Sequence, residues 1–210
     1  MPAAEHEPDW VVWARKLRAI AQTGLTFGDS EYDLDRYRQI ERIADEIFAE
    51  HAGIEHPRIA DFFSRDEGYA TPQVDVRGAV FRDDRILLVR ERLDGLWTLP
   101  GGYADVNDSP SEAVEREILE ESGFTVRATK LAMVYDKRLH DHPPSPRHTY
   151  KLFFLCDMQS GEATTSFETT AVDFFSLDNL PELSTHRITA GQLVRLWEHQ
   201  HTPDIPTDFD

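Results

Sequence analysis

The sequence predicts an α/β fold preceded by a small helical hairpin, and three observations carry that reading. From Gln73 onward, short runs rich in Val, Ile, Leu and Phe alternate with turn residues, as in Val74–Phe81, Ile86–Val89, Val126–Arg138, Tyr150–Met158 and Ala171–Leu177. These runs read as strands. Between them, Ser109-Pro110-Ser111-Glu112 opens a capped helix that Gly123 closes. Before them, apolar residues recur at helical spacing in two segments.

The two N-terminal segments come first. In the first, Trp10, Trp13, Ala14, Leu17, Ile20 and Ala21 line one face from about residue 9 to 22, with Asp9 as its cap and Gly24 and Gly28 as its stop. The second runs from about Asp33 to Glu50 and presents Tyr37, Ile40, Ile43, Ala44, Ile47 and Phe48. Joined by a short turn, they make an αα-hairpin with too little core to stand alone. Residues 51–71 read as a linker in which Ile59, Phe62 and Phe63 form a helical turn. In the strand region, Asp83-Asp84 marks a hairpin between the runs ending at Phe81 and starting at Ile86. Thr189–His199 reads as a closing helix with Leu193, Leu196 and Trp197 inward, and Trp97 as core. The expected domains are 1–66, 67–202 and a loose tail at 203–210, which is rich in Pro and Asp.

Composition narrows the function. The 210 residues carry a net charge of −17, which disfavours a nucleic-acid surface but leaves room for a small anionic substrate whose charge a metal neutralises. No apolar run approaches the ~20 residues of a membrane span, and the first residues lack the basic and apolar regions of a signal peptide. A cytoplasmic location is therefore expected. Cys156 is the single cysteine, so it reads as a small buried hydrophobe.

The chemistry concentrates in Leu99–Phe124. Glu117, Glu120 and Glu121 project within an arc of roughly 100° on one helix face. Like charges this close repel one another, and a hard divalent cation with oxygen ligands, Mg²⁺ or Mn²⁺, removes the repulsion. Gly101 and Gly102 let the backbone approach a ligand closely. His140, His142 and His148 with Arg147 form a second cluster. Pro143, Pro144 and Pro146 stiffen it and no cysteine joins it, which argues against zinc. It reads either as a specificity loop meeting a substrate phosphate or its terminal group, or as a plain surface loop.

The pattern Gly102, Asp108, Arg116-Glu117-Ile118, Glu120-Glu121, Gly123-Phe124 resembles the Nudix box, the signature of hydrolases of nucleoside diphosphates linked to another moiety. Asp108 departs from it, because the family usually has Glu there. The resemblance implies an α/β/α sandwich with a mixed sheet. It also implies Glu117 and Glu121 as principal metal ligands, with Glu120 nearby and the Gly101 carbonyl added. Arg116 is then expected to tether Glu112, Glu120 or Asp108 rather than touch phosphate. The general base is Glu121, or Glu168 in the loop before the last strand.

The helical extension resembles one Nudix subgroup that includes CDP-choline pyrophosphatases. So do His140–His148 with Tyr150–Cys156, and Phe167–Thr170 leading to Phe174–Leu177 and Leu180–Ser184. CDP-choline is the first expected substrate and ADP-ribose the alternative. A module of another class, one that senses nucleotides without turnover, is disfavoured because all three glutamates are present. The related enzymes are dimeric, and two facing helices cannot hide Trp10, Trp13, Ile40, Ile47 and Phe48 together, so a homodimer is expected.

Overall fold

The computed structural model describes residues 7–52, 59, 63 and 66–210. The described chain forms two compact units. One comprises the residues up to Gln73 together with Pro144–His148; the other comprises Val74–Pro143 and Thr149–Asp210. The division between the two units falls after Gln73, a few residues beyond the expected 66. A short later segment also belongs with the helical unit, where the Gln73 N–H donates to the His148 carbonyl (2.9 Å) and Arg147 pairs with Asp66 (3.0 Å).

The helical unit is built on α1 (Asp9–Phe27) and α2 (Glu31–Ala52). Val11, Ala14, Phe48, Ile59 and Phe63 form its buried centre. Buried Arg18 joins the helices through Asp45 (2.7 Å) and lies over the Phe63 ring at 4.4 Å. Two expectations are corrected here. Pro8, not Asp9, is the N-cap of α1, and α1 runs through Gly24 to Phe27. Gly24 serves close approach rather than termination, because a Cβ there would stand 2.4 Å from the Tyr37 ring. In the linker, Ile59 and Phe63 are helical and buried, whereas Phe62 and most of 53–65 lie outside the described residues.

The second unit contains β1 (Gln73–Ala79), β2 (Phe81–Arg82), β3 (Arg85–Glu91), β4 (Trp97–Thr98), α3 (Pro110–Ser122), β5 (Phe124–Asp136), β6 (Thr149–Gly161), β7 (Thr169–Phe175), α4 (Ala190–His201) and β8 (Asp208–Phe209). One sheet has the order β1-β6-β5-β8; the other has β2-β3-β4, with β7 also paired to β3. Strand pairing is mixed, since β8 runs parallel to β5 while β5–β6 and β3–β7 are antiparallel. The Asp83-Asp84 turn forms with both residues at positive φ, 50° and 57°, as a tight hairpin requires. It joins β2 to β3, however, and β1 crosses to the other sheet.

Alternation along the strands feeds two cores. Leu87, Phe154 and Cys156 point into a core closed by Val114 and Ile118 of α3. Ile86, Leu88, Phe153 and Leu155 point into one closed by Leu193 and Leu196 of α4. Two helices covering two cores across the strands make the α/β/α sandwich. Burial pushes the Cys156 thiol up to about 12, consistent with an inert packing role.

The chain end is not loose, as its composition suggested. Asp208 accepts from Arg195 (2.8 Å) and faces buried His199 (3.2 Å), and the Asp210 carboxylate accepts from the Asp136 N–H (2.6 Å). Charge pairing with α4 and backbone pairing with β5 outweigh the turn-forming composition.

Candidate active site

The site is assembled by backbone pairing between β1 and the glycine loop. The Val76 N–H donates to the Gly102 carbonyl (2.8 Å), Gly78 to Pro100 (3.0 Å) and Ala104 to Val74 (3.0 Å). Gly101 sits at φ +135°, where a Cβ would lie 2.0 Å from the Val76 carbonyl oxygen; only glycine fits there. A Cβ on Gly102 would meet a Glu117 carboxylate oxygen at 3.1 Å, so the loop runs directly beside the helix carboxylates.

Helix α3 presents those carboxylates. Its capping box of Ser109 and Glu112 and its left-handed Gly123 (φ 78°) fix both ends within 13 residues. Val114 and Ile118 anchor one side, which turns Glu117, Glu120 and Glu121 toward a cleft of about 610 Å³. Glu121 is 4% exposed and accepts the Gly101 N–H at 2.9 Å. Burial pushes its carboxyl up to about 8, an effect that nearby Arg77 and the Gly101 hydrogen bond only partly offset. Burial also raises Glu117 above the usual carboxylate range, against the pull of Arg116.

Arg116 is a knot within the site. It donates to Asp108 (3.1 Å), Glu117 (3.0 Å) and Glu120 (3.3 Å) and pairs with Asp105 (3.1 Å). The shorter Asp108 therefore reaches the arginine. Glu168 lines the same cleft from the loop before β7.

His140 and His142 do not line the cleft. His142 donates through Nδ1 to the Thr185 carbonyl (2.7 Å) and accepts from Gln192 (2.9 Å), which ties it to the start of α4; burial pushes its pKa down to about 3, so it is neutral. His140 stacks on Tyr135 at 3.7 Å between ring centroids and faces Asp210 (3.1 Å). Arg147 and His148 belong to the helical unit. Through these contacts His140 holds the chain end and His142 holds α4.

Six further cleft residues were not singled out from sequence, Arg77, Glu91, Tyr103, Asp105, Ser166 and Arg187, and Phe167 entered only as the start of the Phe167–Thr170 resemblance. Buried Arg77 grips Asp75 with two bonds (2.8 and 2.9 Å) and donates to the Leu99 carbonyl (3.1 Å), and Asp75 also accepts from buried Lys151 (2.8 Å). Burial alone would raise Asp75, but the two cations hold it well below the carboxylate range. Arg187 pairs with Glu91 (3.2 Å) and Asp94 (2.8 Å). The signal for Arg77 was present as Asp75 and Arg77, two charges on one face of an otherwise apolar strand.

The cleft thus gathers six carboxylates (Glu91, Asp105, Glu117, Glu120, Glu121 and Glu168) against three guanidiniums. That excess suits a hard divalent cation. Among the described residues no three His, Cys, Asp or Glu side chains converge as a coordination shell, and Arg116 and the Gly101 N–H engage oxygens of Glu117, Glu120 and Glu121.

Residues 71–197 match the model of the NUDIX domain. The chain belongs to the Nudix family. Residues 8–63 match Nudix_N, described as a UDP-X-like N-terminal oligomerisation domain. Bacillus subtilis YjhB, whose name assigns it provisionally to the ADP-ribose pyrophosphatases, is 44% identical over 96% of this chain and 97% of its own length. A solved UDP-X diphosphatase superposes with a TM-score of 0.63 at 31% identity, covering 96% of this chain and 98% of its own. An ADP-ribose pyrophosphatase from Streptococcus suis gives a TM-score of 0.62 at 42% identity, over 67% of this chain and 100% of its own. This Nudix hydrolase is accordingly a pyrophosphatase of nucleoside diphosphate derivatives. No described helix of it is long and apolar enough to cross a membrane.

Its raised glutamates make a prediction for the metal-free protein. Unfolded Glu121 ionises near 4.5 and the folded residue at about 8, so between these values only the native state holds the proton. Stability must then fall as pH rises through this window. From pH 6.5 to 7.5 the Glu121 contribution falls by about 1 kcal/mol, or a few degrees of Tm, an amount that His142 offsets only in small part as its unfolded form sheds its proton from 6.5 upward. Thermal melts in EDTA check this. A Tm that is flat or rises over that interval contradicts the burial account, as does an unchanged slope in Glu121→Gln.

Proposed function

We propose that this Nudix hydrolase cleaves ADP-ribose or a UDP-linked moiety, giving a nucleoside monophosphate and a phosphorylated partner, with Mg²⁺ or Mn²⁺ as cofactor. The carrying observation is the meeting of Glu117, Glu120 and Glu121 with the Gly101–Gly102 backbone in one cleft. The relatives' names support these substrates ahead of CDP-choline, the first expectation. A sensing module without turnover gains nothing from the departure at Asp108, because Asp108 still reaches Arg116 (3.1 Å).

Glu117, Glu120, Glu121 and the Gly101 carbonyl would hold the cation, which when bound neutralises phosphate charge and acidifies water. In the reaction the water oxygen attacks phosphorus, the bridging P–O bond breaks, and a carboxylate takes the proton. Arg116 keeps Glu117 and Glu120 in place and Arg77 pins the strand leading into the glycine loop. The test is phosphate release through a coupled phosphatase with Mg²⁺ across ADP-ribose, UDP-sugars and CDP-choline. Turnover of none of them contradicts the proposal.

Glu168 is separable from the helix glutamates. If it takes the proton, Glu168→Gln loses rate while Mn²⁺ titration is unchanged; if it is a ligand, Mn²⁺ binds more weakly. Loss of neither leaves Glu121 as the base.

We also propose a homodimer through the helical unit. Trp13 is 59% exposed there, and Ile20, Phe27 and Ile43 are exposed with it. The oligomerisation description of the matching family model supports this reading. Light scattering at micromolar concentration is expected to give a dimer mass, and a monomer refutes the proposal.

A further inference from the structure

We propose that Tyr103 and Phe167 form an aromatic subsite that takes the nucleobase of the substrate; this rests on the reading of the protein as a nucleoside diphosphate hydrolase. Both rings line the carboxylate cleft, and both are exposed, Phe167 at 84% and Tyr103 at 54%. What sets these two apart from the chain's other exposed apolar side chains is that both stand at the carboxylate cleft, where a bound ligand can cover them.

The backbone beneath each ring is fixed. Tyr103 follows Gly102 in the stretch paired to β1, bridged to Asp75. The Phe167 carbonyl accepts from Arg92 Nε (2.8 Å), and the next carbonyl, of Glu168, accepts from the Arg92 N–H (2.8 Å). The Ser166 N–H donates to the Thr169 hydroxyl (2.9 Å), which itself donates to the Glu121 carbonyl (2.9 Å). The Phe167 loop is thus tied to the last turn of the catalytic helix.

Rings held on rigid backbone bind a planar partner with little ordering cost. The rest of the cleft is charged and suits phosphate and cation; the two rings are its large apolar faces. A nucleoside diphosphate carries both chemistries a few ångströms apart, a polyanion and a flat base. Stacking tolerates any base, so this subsite selects nucleotides over other phosphate esters without choosing among bases.

Calorimetry on the full-length protein with Mg²⁺ tests this, comparing AMP, UMP and CMP with ribose 5-phosphate. The monophosphates are expected to bind at least about ten-fold tighter than ribose 5-phosphate. Phe167→Ala and Tyr103→Ala each should remove most of that preference and leave ribose 5-phosphate affinity unchanged, while Phe167→Tyr and Tyr103→Phe retain it. Both positions are exposed, so the variants should fold. Equal binding of the two ligand types, no measurable binding of the monophosphates, an alanine variant at either position with unaltered preference, or parallel loss of both ligands overturns the subsite. Turnover of the substrate panel is read separately, so failure of the hydrolase reading and failure of the aromatic subsite remain distinguishable.

Discussion

Glu121→Gln is expected to lower kcat at least ~100-fold, about 2.7 kcal/mol of barrier, with the fold intact. The amide oxygen of glutamine still accepts the Gly101 N–H that Glu121 accepts at 2.9 Å, so the loop keeps its tether. What disappears is a charge buried among Glu91 and Glu117, the charge a divalent cation would meet. Removing it also relieves the burial penalty, so the metal-free variant should melt no lower than the parent at neutral pH. Turnover near the parent's at saturating Mg²⁺ would rule Glu121 out as an essential ligand or base.

Gly101→Ala is expected to cost about 3 kcal/mol or more in stability and to abolish turnover. The new methyl group would stand 2.0 Å from the Val76 carbonyl oxygen and 3.0 Å from Arg77 Cα, both backbone atoms that no side-chain rotation can move away. The conformation at φ +135° is itself closed to alanine. Relief requires the loop to leave β1, which breaks its ladder to Val76 and Gly78 and carries the Gly101 N–H away from Glu121. Urea unfolding and turnover together check this. A variant of parental stability, or a destabilised one that keeps full kcat, contradicts the loop's role.

Helix α3 was legible because its signals are local. Ser109, Glu112 and Gly123 sit next to the atoms they cap, and three glutamates on one face need no knowledge of the rest of the chain. Strand partners were less legible. The period-2 pattern marks Val74–Phe81 as extended but does not say that the strand must break at Val80 and serve two sheets. Arg77 escaped notice because its meaning lies in Asp75, Leu99 and Lys151, which only the fold assembles. The histidine loop read two ways from sequence, because its residue types do not say what they face. Residue types that suit phosphate recognition are used here to hold α4 and the chain end, through His142 with Gln192 and His140 with Asp210. The terminal residues read as loose because proline and aspartate favour turns, yet Asp208 has Arg195 and His199 waiting for its charge.

The central claim is that the Glu117–Glu120–Glu121 face and the glycine loop together hydrolyse a nucleoside diphosphate derivative with a divalent cation. Phosphorus-31 NMR of ADP-ribose or a UDP-sugar incubated with the protein tests it most directly, with Mg²⁺ and with EDTA. The account predicts that the pyrophosphate doublets are replaced by two monophosphate resonances, one from the nucleoside monophosphate and one from the phosphorylated sugar, only when Mg²⁺ is present. Unchanged doublets with Mg²⁺ for every substrate in the panel, or equal conversion in EDTA, would contradict it.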